Sequence, residues 1–446
     1  MKKKKALLIY PYDKEKKKSA DAIYPFPMLG LTMVAALFPP NWEVSIVNEA
    51  IEKVNFDQDL DLVGISALTC NVKRGYEIAD KFRKEKIPVI MGGPHVAFME
   101  EEVLSHADAV VVGEAELIFK ELINDLDKGK LKKIYRSNGN IDLAHIPFPK
   151  RDLLHPKHLI FMNAIQTTRG CPNNCEFCAV SSMFGKKYRL RPLEEVDKEL
   201  STIIKKPSQR LMVIDDNILC KIDYARELFL LLKKYKVRWM GFSTIQIAKI
   251  PNLLHLAKES GCISLFIGFE SLSKENLTGM KKGFVDPKEL LDIIHRIQSE
   301  GIGIQGSFVF GFDHDDKEVF KRTIDFVQKA NIELPSFSVL TPFPGTPLRI
   351  RLEQEGRIFD NNWSHYDMSH VVFFPKLMSP KELQDGYLWA QKYACAPRSI
   401  LKRLLFGKRN HFFYFLLSNF ALRSSQMNVV KRLKDREFPD SVMFEK

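Results

Sequence analysis

Twice along the chain, short aliphatic runs alternate with longer stretches of helical periodicity, and no other feature constrains the fold as tightly. In the first part the runs fall at 6–10, 44–47, 62–66, 89–91 and 109–112, with helical patterns such as 28–37 and 72–85 between them. From residue 161 the alternation resumes six times, with runs at 161–167, 210–214, 237–242, 263–267, 303–309 and 337–340. Helical patterns at 193–205, 223–234, 252–260, 287–300 and 317–330 separate them. Such alternation specifies an α/β architecture with parallel sheets, because a parallel neighbour needs a crossover and a helix supplies it. Pro147 and Pro149 mark an extended link between the two series. A chain of 446 residues therefore divides into a Rossmann-like domain over 1–145, a partial (β/α)6 barrel over 146–350 and a mainly helical region over 351–446. Ligands of such sheets bind at the carboxyl ends of the strands, so the chemistry is expected in the loops that follow each run.

Directly after the first run of the second series stand Cys171, Cys175 and Cys178, with three and then two residues between them. Three thiolates on one tight loop can hold three corners of a cubane iron-sulfur cluster, which normally takes four ligands. The fourth iron is left open to a small molecule. A structural zinc site would ask for a fourth Cys or His and a second CxxC pair, and the chain has no such pair. The remaining cysteines, Cys70, Cys220, Cys262 and Cys395, are scattered. An odd count without regular pairing argues against a disulfide framework and for a reducing, cytoplasmic setting.

This spacing, with Phe177 just before the last cysteine, resembles the signature of the radical S-adenosylmethionine (SAM) enzymes, whose core is a partial barrel. The resemblance implies a 4Fe-4S cluster on Cys171, Cys175 and Cys178, SAM on its open iron, and reductive cleavage to a 5'-deoxyadenosyl radical. It further implies SAM contacts from Phe177, from Asp215, Asp216 and Asn217 after the second run, and from Glu270 after the fourth. Capping of the next helix is an equal use for Asp216 and Asn217. In the first domain, Ser66 and Leu68 followed by Gly92 and Gly93 resemble the cobalamin-binding domain of corrinoid enzymes. That resemblance adds Gly113 and Glu114 to the expected cobalamin pocket. No DxHxxG occurs over residues 10–31, so cobalamin is expected base-off without a histidine ligand. His95 reads as a loop residue bonded to backbone or a ligand amide, and the absence of GxGxxG argues against a dinucleotide.

The order of parts, with Trp363, Tyr366, Asp367 and His370 in one stretch, is similar to hopanoid methylases and related cobalamin radical SAM enzymes. The expected function is methyl transfer to a poorly activated carbon of a small-molecule or lipid-like substrate, with electrons from a flavodoxin- or ferredoxin-type reductant. A radical cyclase or rearrangement enzyme is the alternative within enzymes. A basic nucleic-acid-binding protein or a redox iron-sulfur protein is the alternative outside them, with nucleic acid the less expected partner. A tRNA methylthiotransferase would need three more cysteines ahead of the barrel, where only Cys70 stands. From Pro397 onward, eleven Lys or Arg and four Asp or Glu interleave with the aromatic run at 411–417. The tail is expected either as helices packed over the barrel mouth or as an amphipathic face in peripheral contact with an anionic membrane.

Overall fold

The computed structural model describes residues 3–13, 28–156, 163–280, 285–405 and 411–439. Most of the loop expected between the first run and its helix, and the first two residues of the run at 161–167, lie outside them. The first sheet contains β1 (Lys4–Tyr10), β2 (Trp42–Asn48), β3 (Leu62–Ser66), β4 (Val89–Gly92), β5 (Ala109–Val112) and β6 (Ile134–Arg136). Their spatial order is β2-β1-β3-β4-β5-β6, and every pair is parallel. Along β1, Leu7 and Ile9 pack with Ile78 and Phe82, whereas Ala6 and Leu8 pack with Leu31, Phe38 and Phe119. Both faces are thus buried, which is why the strand reads as an unbroken apolar run.

In the second series, β7 (Asn163–Ile165) is followed by a small antiparallel ribbon of β8 (Thr168–Arg169) and β9 (Arg189–Leu190). Then come β10 (Arg210–Val213), β11 (Arg238–Ser243), β12 (Cys262–Glu270), β13 (Gly303–Phe310) and β14 (Leu334–Val339). These strands, all parallel, run β14-β13-β12-β11-β10-β7, so the barrel stays open between its first and last strands. The covering helices follow ordinary rules. Helix Pro287–Ser299 starts with Asp286 accepting from the Lys288 amide at 2.8 Å and with proline in its first turn. It buries Leu290, Ile293, Ile294 and Ile297, a single stripe of the helix.

Helices Pro380–Ala394, Pro397–Leu405 and Phe412–Leu433 do not pack over the barrel mouth as one expectation had it. They run beside β14; the last begins at the opposite end, where the strands start, and finishes by the segment that follows β14, with Arg436 donating to the Val371 carbonyl at 2.8 Å. Buried Arg403 decides this placement: it donates to the carbonyls of Ile332 (3.0 Å) and Ala394 (2.9 Å) and to Asn419 Oδ1 (3.0 Å). Asn419 in turn donates to the Glu333 carbonyl at 2.8 Å. Phe415 packs where Gly303 has no side chain; a Cβ there would lie 2.1 Å from its ring. No helix among the described residues is long and apolar enough to cross a membrane.

Candidate active site between facing strand ends

After β7 the chain must turn at once into the cysteine loop, and two aspartates hold that turn. Asp215, fully buried after β10, accepts from the amides of Thr167 (2.6 Å) and Thr168 (2.9 Å) and from the Thr167 hydroxyl. Burial nonetheless pushes its carboxyl up to about 6, against these donors. Asp216 accepts from the Gly170 amide at 3.0 Å, and burial raises it as well. Gly170 sits at φ +91°, and a Cβ there would approach the Lys187 carbonyl to 2.6 Å, so glycine is required.

The far side of the loop is braced by helix Pro347–Gln354. Arg351 donates to Glu176 at 3.0 Å and to Asp313 at 2.7 Å, and the Leu348 amide donates to the Glu176 carbonyl at 2.9 Å. Phe177 meets Phe312 edge-on at 6.1 Å between ring centres. Between these anchors Cys171, Cys175 and Cys178 are half-buried, and none is in a disulfide. Burial raises the Cys178 thiol to about 11, and the charges of Cys175, Asp216 and Cys171 push the same way. A thiol that resists ionisation alone, with two more beside it, is a donor set that bound cationic iron would hold as thiolates.

Beside Cys175, a cavity of about 560 Å³ opens at the ends of β10, β11 and β12, lined also by Asn217, Thr244, Gln246, Gly268 and Phe269. Its size suits a nucleoside-sized ligand. Asn217 lines it while its Oδ1 accepts from the Leu219 amide at 3.1 Å. Glu270, half-buried at the end of β12, follows a break in strand register and sits at φ +63°. A glutamate in that region stores backbone strain, a mark of functional strand ends. Of the residues expected around SAM, Asn217 borders the cavity, whereas Asp215 and Asp216 are committed to the root of the cysteine loop.

A second cavity, about 350 Å³, enters the first sheet between helix Leu29–Ala36 and the strands. Gly64, Ser66, Gly92 and Gly113 line it from the sheet, and Arg169 and Phe184 line it from the barrel side. Gly93 (φ +105°) and Gly113 (φ +87°) are demanded by the chain, since a Cβ would meet the Ala67 carbonyl at 2.8 Å and Ser137 Oγ at 2.2 Å. At Gly92 an added Cβ would meet nothing closer than 3.6 Å. The chain itself does not require glycine there, and a ligand tail in the slot would. The apolar lining and this open glycine fit the nucleotide end of a corrinoid. Leu68 is 38 % exposed and, among the described residues, does not line the slot.

Glu114 borders the slot, but its buried carboxylate is engaged by Arg169 (2.6 Å), Arg189 (2.9 Å) and the Ile141 amide (2.7 Å). It ties the first sheet to the barrel rather than presenting a free ligand group. His95 is fully buried beneath Trp363, near the Tyr76 hydroxyl at 3.4 Å. Burial lowers it to about 4, so it stays neutral. Sequence reasoning missed the Arg169–Glu114–Arg189 seam and the Arg351 brace. Ion pairs between residues far apart in the chain leave no local pattern to read.

The radical SAM superfamily model matches residues 165–327 and the B12 binding domain model matches residues 20–123. A bacteriochlorophyllide d C-12(1)-methyltransferase of Chlorobaculum tepidum is 31% identical over 93% of this chain and 92% of its own. The hopanoid C-2 methylase of Rhodopseudomonas palustris is 28% identical over 76% of this chain and 67% of its own. The solved radical SAM methyltransferase TsrM from Kitasatospora setae, with cobalamin and a [4Fe-4S] cluster bound, superposes with a TM-score of 0.68 at 14% identity, covering 97% of this chain and 99% of that one.

Proposed function

Since the chain belongs to the cobalamin-dependent radical SAM methyltransferases, we propose that it methylates a poorly activated carbon of a small-molecule or lipid-like substrate. The observation that carries this reading is the shared wall: Arg169, two residues before Cys171, lines the slot of the first sheet. A methyl donor and a radical generator that act on one carbon need that adjacency.

Cys171, Cys175 and Cys178 are assigned to the 4Fe-4S cluster, Phe177, Asn217 and Glu270 to the SAM side of the mouth, and Asp215 and Asp216 to holding the loop between them. Ser66, Gly92, Gly93 and Gly113 are assigned to cobalamin, with Glu114 setting the seam and Leu68 outside the slot. His95, buried beneath Trp363 and held by packing, is not assigned to the cofactor. When bound, the cluster supplies the electron that cleaves SAM and cobalamin supplies the methyl group. The protein's own part is to fix the distance between the two cavities, keep water from the seam by burying its charges, and brace the loop through Arg351. Seven cysteines without a disulfide among them favour a reducing cytoplasm, where a flavodoxin- or ferredoxin-type reductant would supply the electrons.

Anaerobic reconstitution with iron, sulfide and hydroxocobalamin tests the assignment. Cys175→Ala is expected to lose cluster absorbance and 5'-deoxyadenosine formation while keeping the corrinoid spectrum. Loss of both cofactors would sink the division into two sites. Labelled SAM that leaves no label in the product would replace methyl transfer by cyclisation or rearrangement.

A further inference from the structure

The final helix begins at the end of the barrel where the strands start. Tyr414 lies 5.5 Å from the guanidinium of Arg210, which opens β10, and its hydroxyl reaches the Met240 sulfur at 3.7 Å. Phe415 fills the space at Gly303, which opens β13. With Phe415 and Asn419 turned inward, the outer face presents Phe413, Leu417 and Phe420 at i, i+4 and i+7. Phe413 is 76 % exposed and Leu417 65 %. Leu401 and Leu405, on the adjoining helix Pro397–Leu405, are exposed as well, beside exposed Arg398 and Lys402.

The same end of the barrel is basic. Lys205, Lys206 and Arg210 precede or open β10, and Lys236 and Arg238 do the same for β11. Arg210 and Arg238 are register partners, and the Lys236 carbonyl accepts from the Ser208 amide at 2.8 Å, so the cations form one cluster. All five are exposed, and among the described residues none forms an ion pair. A contiguous apolar stripe left in water marks a contact surface, and unneutralised cations beside it select the partner.

We propose that this end of the barrel, with Phe413, Leu417 and Phe420 inside a border of Lys205, Lys206, Arg210, Lys236 and Arg238, docks on an anionic lipid bilayer. Acyl chains take the apolar stripe and headgroup phosphates take the cations. A second copy of the chain fits less well, because a two-fold interface would set the same cations against each other. Nucleic acid would answer the cations but leave the stripe in water. Docking here turns the cavity mouth, at the opposite strand ends, away from the bilayer, so a lipid-like substrate reaches it only after leaving the membrane plane.

The test is flotation of the holoenzyme with vesicles of equal parts phosphatidylcholine and phosphatidylglycerol, against phosphatidylcholine alone. Binding is expected to the anionic vesicles only and to weaken with salt. Phe413→Ser with Leu417→Ser, and separately Lys205→Gln with Lys206→Gln and Lys236→Gln, should each weaken it by at least ~10-fold. Cluster absorbance and 5'-deoxyadenosine formation should not change in either variant. Failure of the wild type to float, equal binding to neutral vesicles, or variants that bind as well as wild type would overturn the proposal. So would a dimer, seen by light scattering, that the stripe variant dissolves, or RNA binding that the stripe variant leaves intact while vesicle binding is absent. Vesicle binding is read without substrate methylation, so its failure leaves the methyltransferase reading standing.

Discussion

Replacing Asp215 separates a buried strut from a ligand contact. Its carboxylate accepts two amides and a hydroxyl in a site closed to water. Asp215→Ala orphans both amides, and each buried donor without a partner costs about 1–3 kcal/mol, or roughly 2–6 kcal/mol together. Asp215→Asn keeps an acceptor for the two amides and offers its NH2 to the Thr167 oxygen, so most of that loss is avoided. The charge works in favour of asparagine. A carboxyl raised to about 6 binds its proton more tightly in the folded chain than in the unfolded one. Wild-type stability therefore falls as pH rises from about 4 through 6, by up to ~3 kcal/mol. At pH 8 the Asn variant should be at least as stable as wild type, with the wild type gaining on it below 6. Urea unfolding across pH, with iron content and SAM affinity measured on the folded protein, reads all three effects. Equal destabilisation by Ala and Asn, or loss of SAM affinity in a folded, iron-loaded Asn variant, would refute the strut and restore the ligand contact that the sequence predicts.

Glu114→Gln leaves Arg189 facing a neutral amide and Arg169 with Glu116 as its remaining counter-ion, a loss on the order of 3 kcal/mol. Its urea midpoint should drop and corrinoid retention should fall with it; an unchanged midpoint would mean that the seam is already wet. His95, lowered to about 4 by burial against the opposing pull of Glu102, contributes in the other direction from Asp215. The unfolded chain takes up its proton near pH 6.5, so stability present above that value is lost as pH falls toward 4, by about 2 kcal/mol between pH 7 and 5. His95→Gln should flatten that part of the pH profile relative to wild type, and parallel profiles would show that His95 titrates normally.

Strands β1, β4 and β5 were legible because nothing polar interrupts residues 6–9, 89–91 or 109–112. β6 was not, since only Tyr135 of its three residues is buried and lysines precede it. The cysteine loop announces its chemistry through spacing alone, whereas Asp215, Asp216 and Asn217 look the same in sequence whether they meet a ligand or hold a turn. Only the distances to Thr167, Thr168 and Gly170 tell them apart. Glu114 shows the same ambiguity: an acid at a strand end is expected to face a ligand, yet its two ion-pair partners, Arg169 and Arg189, come from the second series of strands. Of the tail helices, Pro397–Leu405 carried an amphipathic pattern, but the position of the tail depends on Arg403 finding the carbonyls of Ile332 and Ala394. No periodicity encodes such a contact.

The seam also explains how two cavities in separately wound sheets can act on one carbon. The linker built around Pro147 and Pro149 is tied to the first domain by the Lys150 amide, which donates to the Thr32 carbonyl at 3.0 Å, and to the barrel by Arg151, which donates to the Ala164 carbonyl at 2.6 Å, but neither contact reaches the cysteine loop. Glu114 and Arg169 do. They are buried to within a few per cent, and Arg169 spreads its two terminal nitrogens over Glu114 and Glu116, at 2.6 and 3.0 Å. Buried pairs of this kind add little net stability over apolar packing, because desolvation offsets most of the attraction. What they add is intolerance of misplacement: a shift that separates the partners leaves a charge without water or counter-ion. Gly170 and Cys171 follow Arg169 directly, so the ion pair that positions the edge of the first slot also positions the first thiol of the loop.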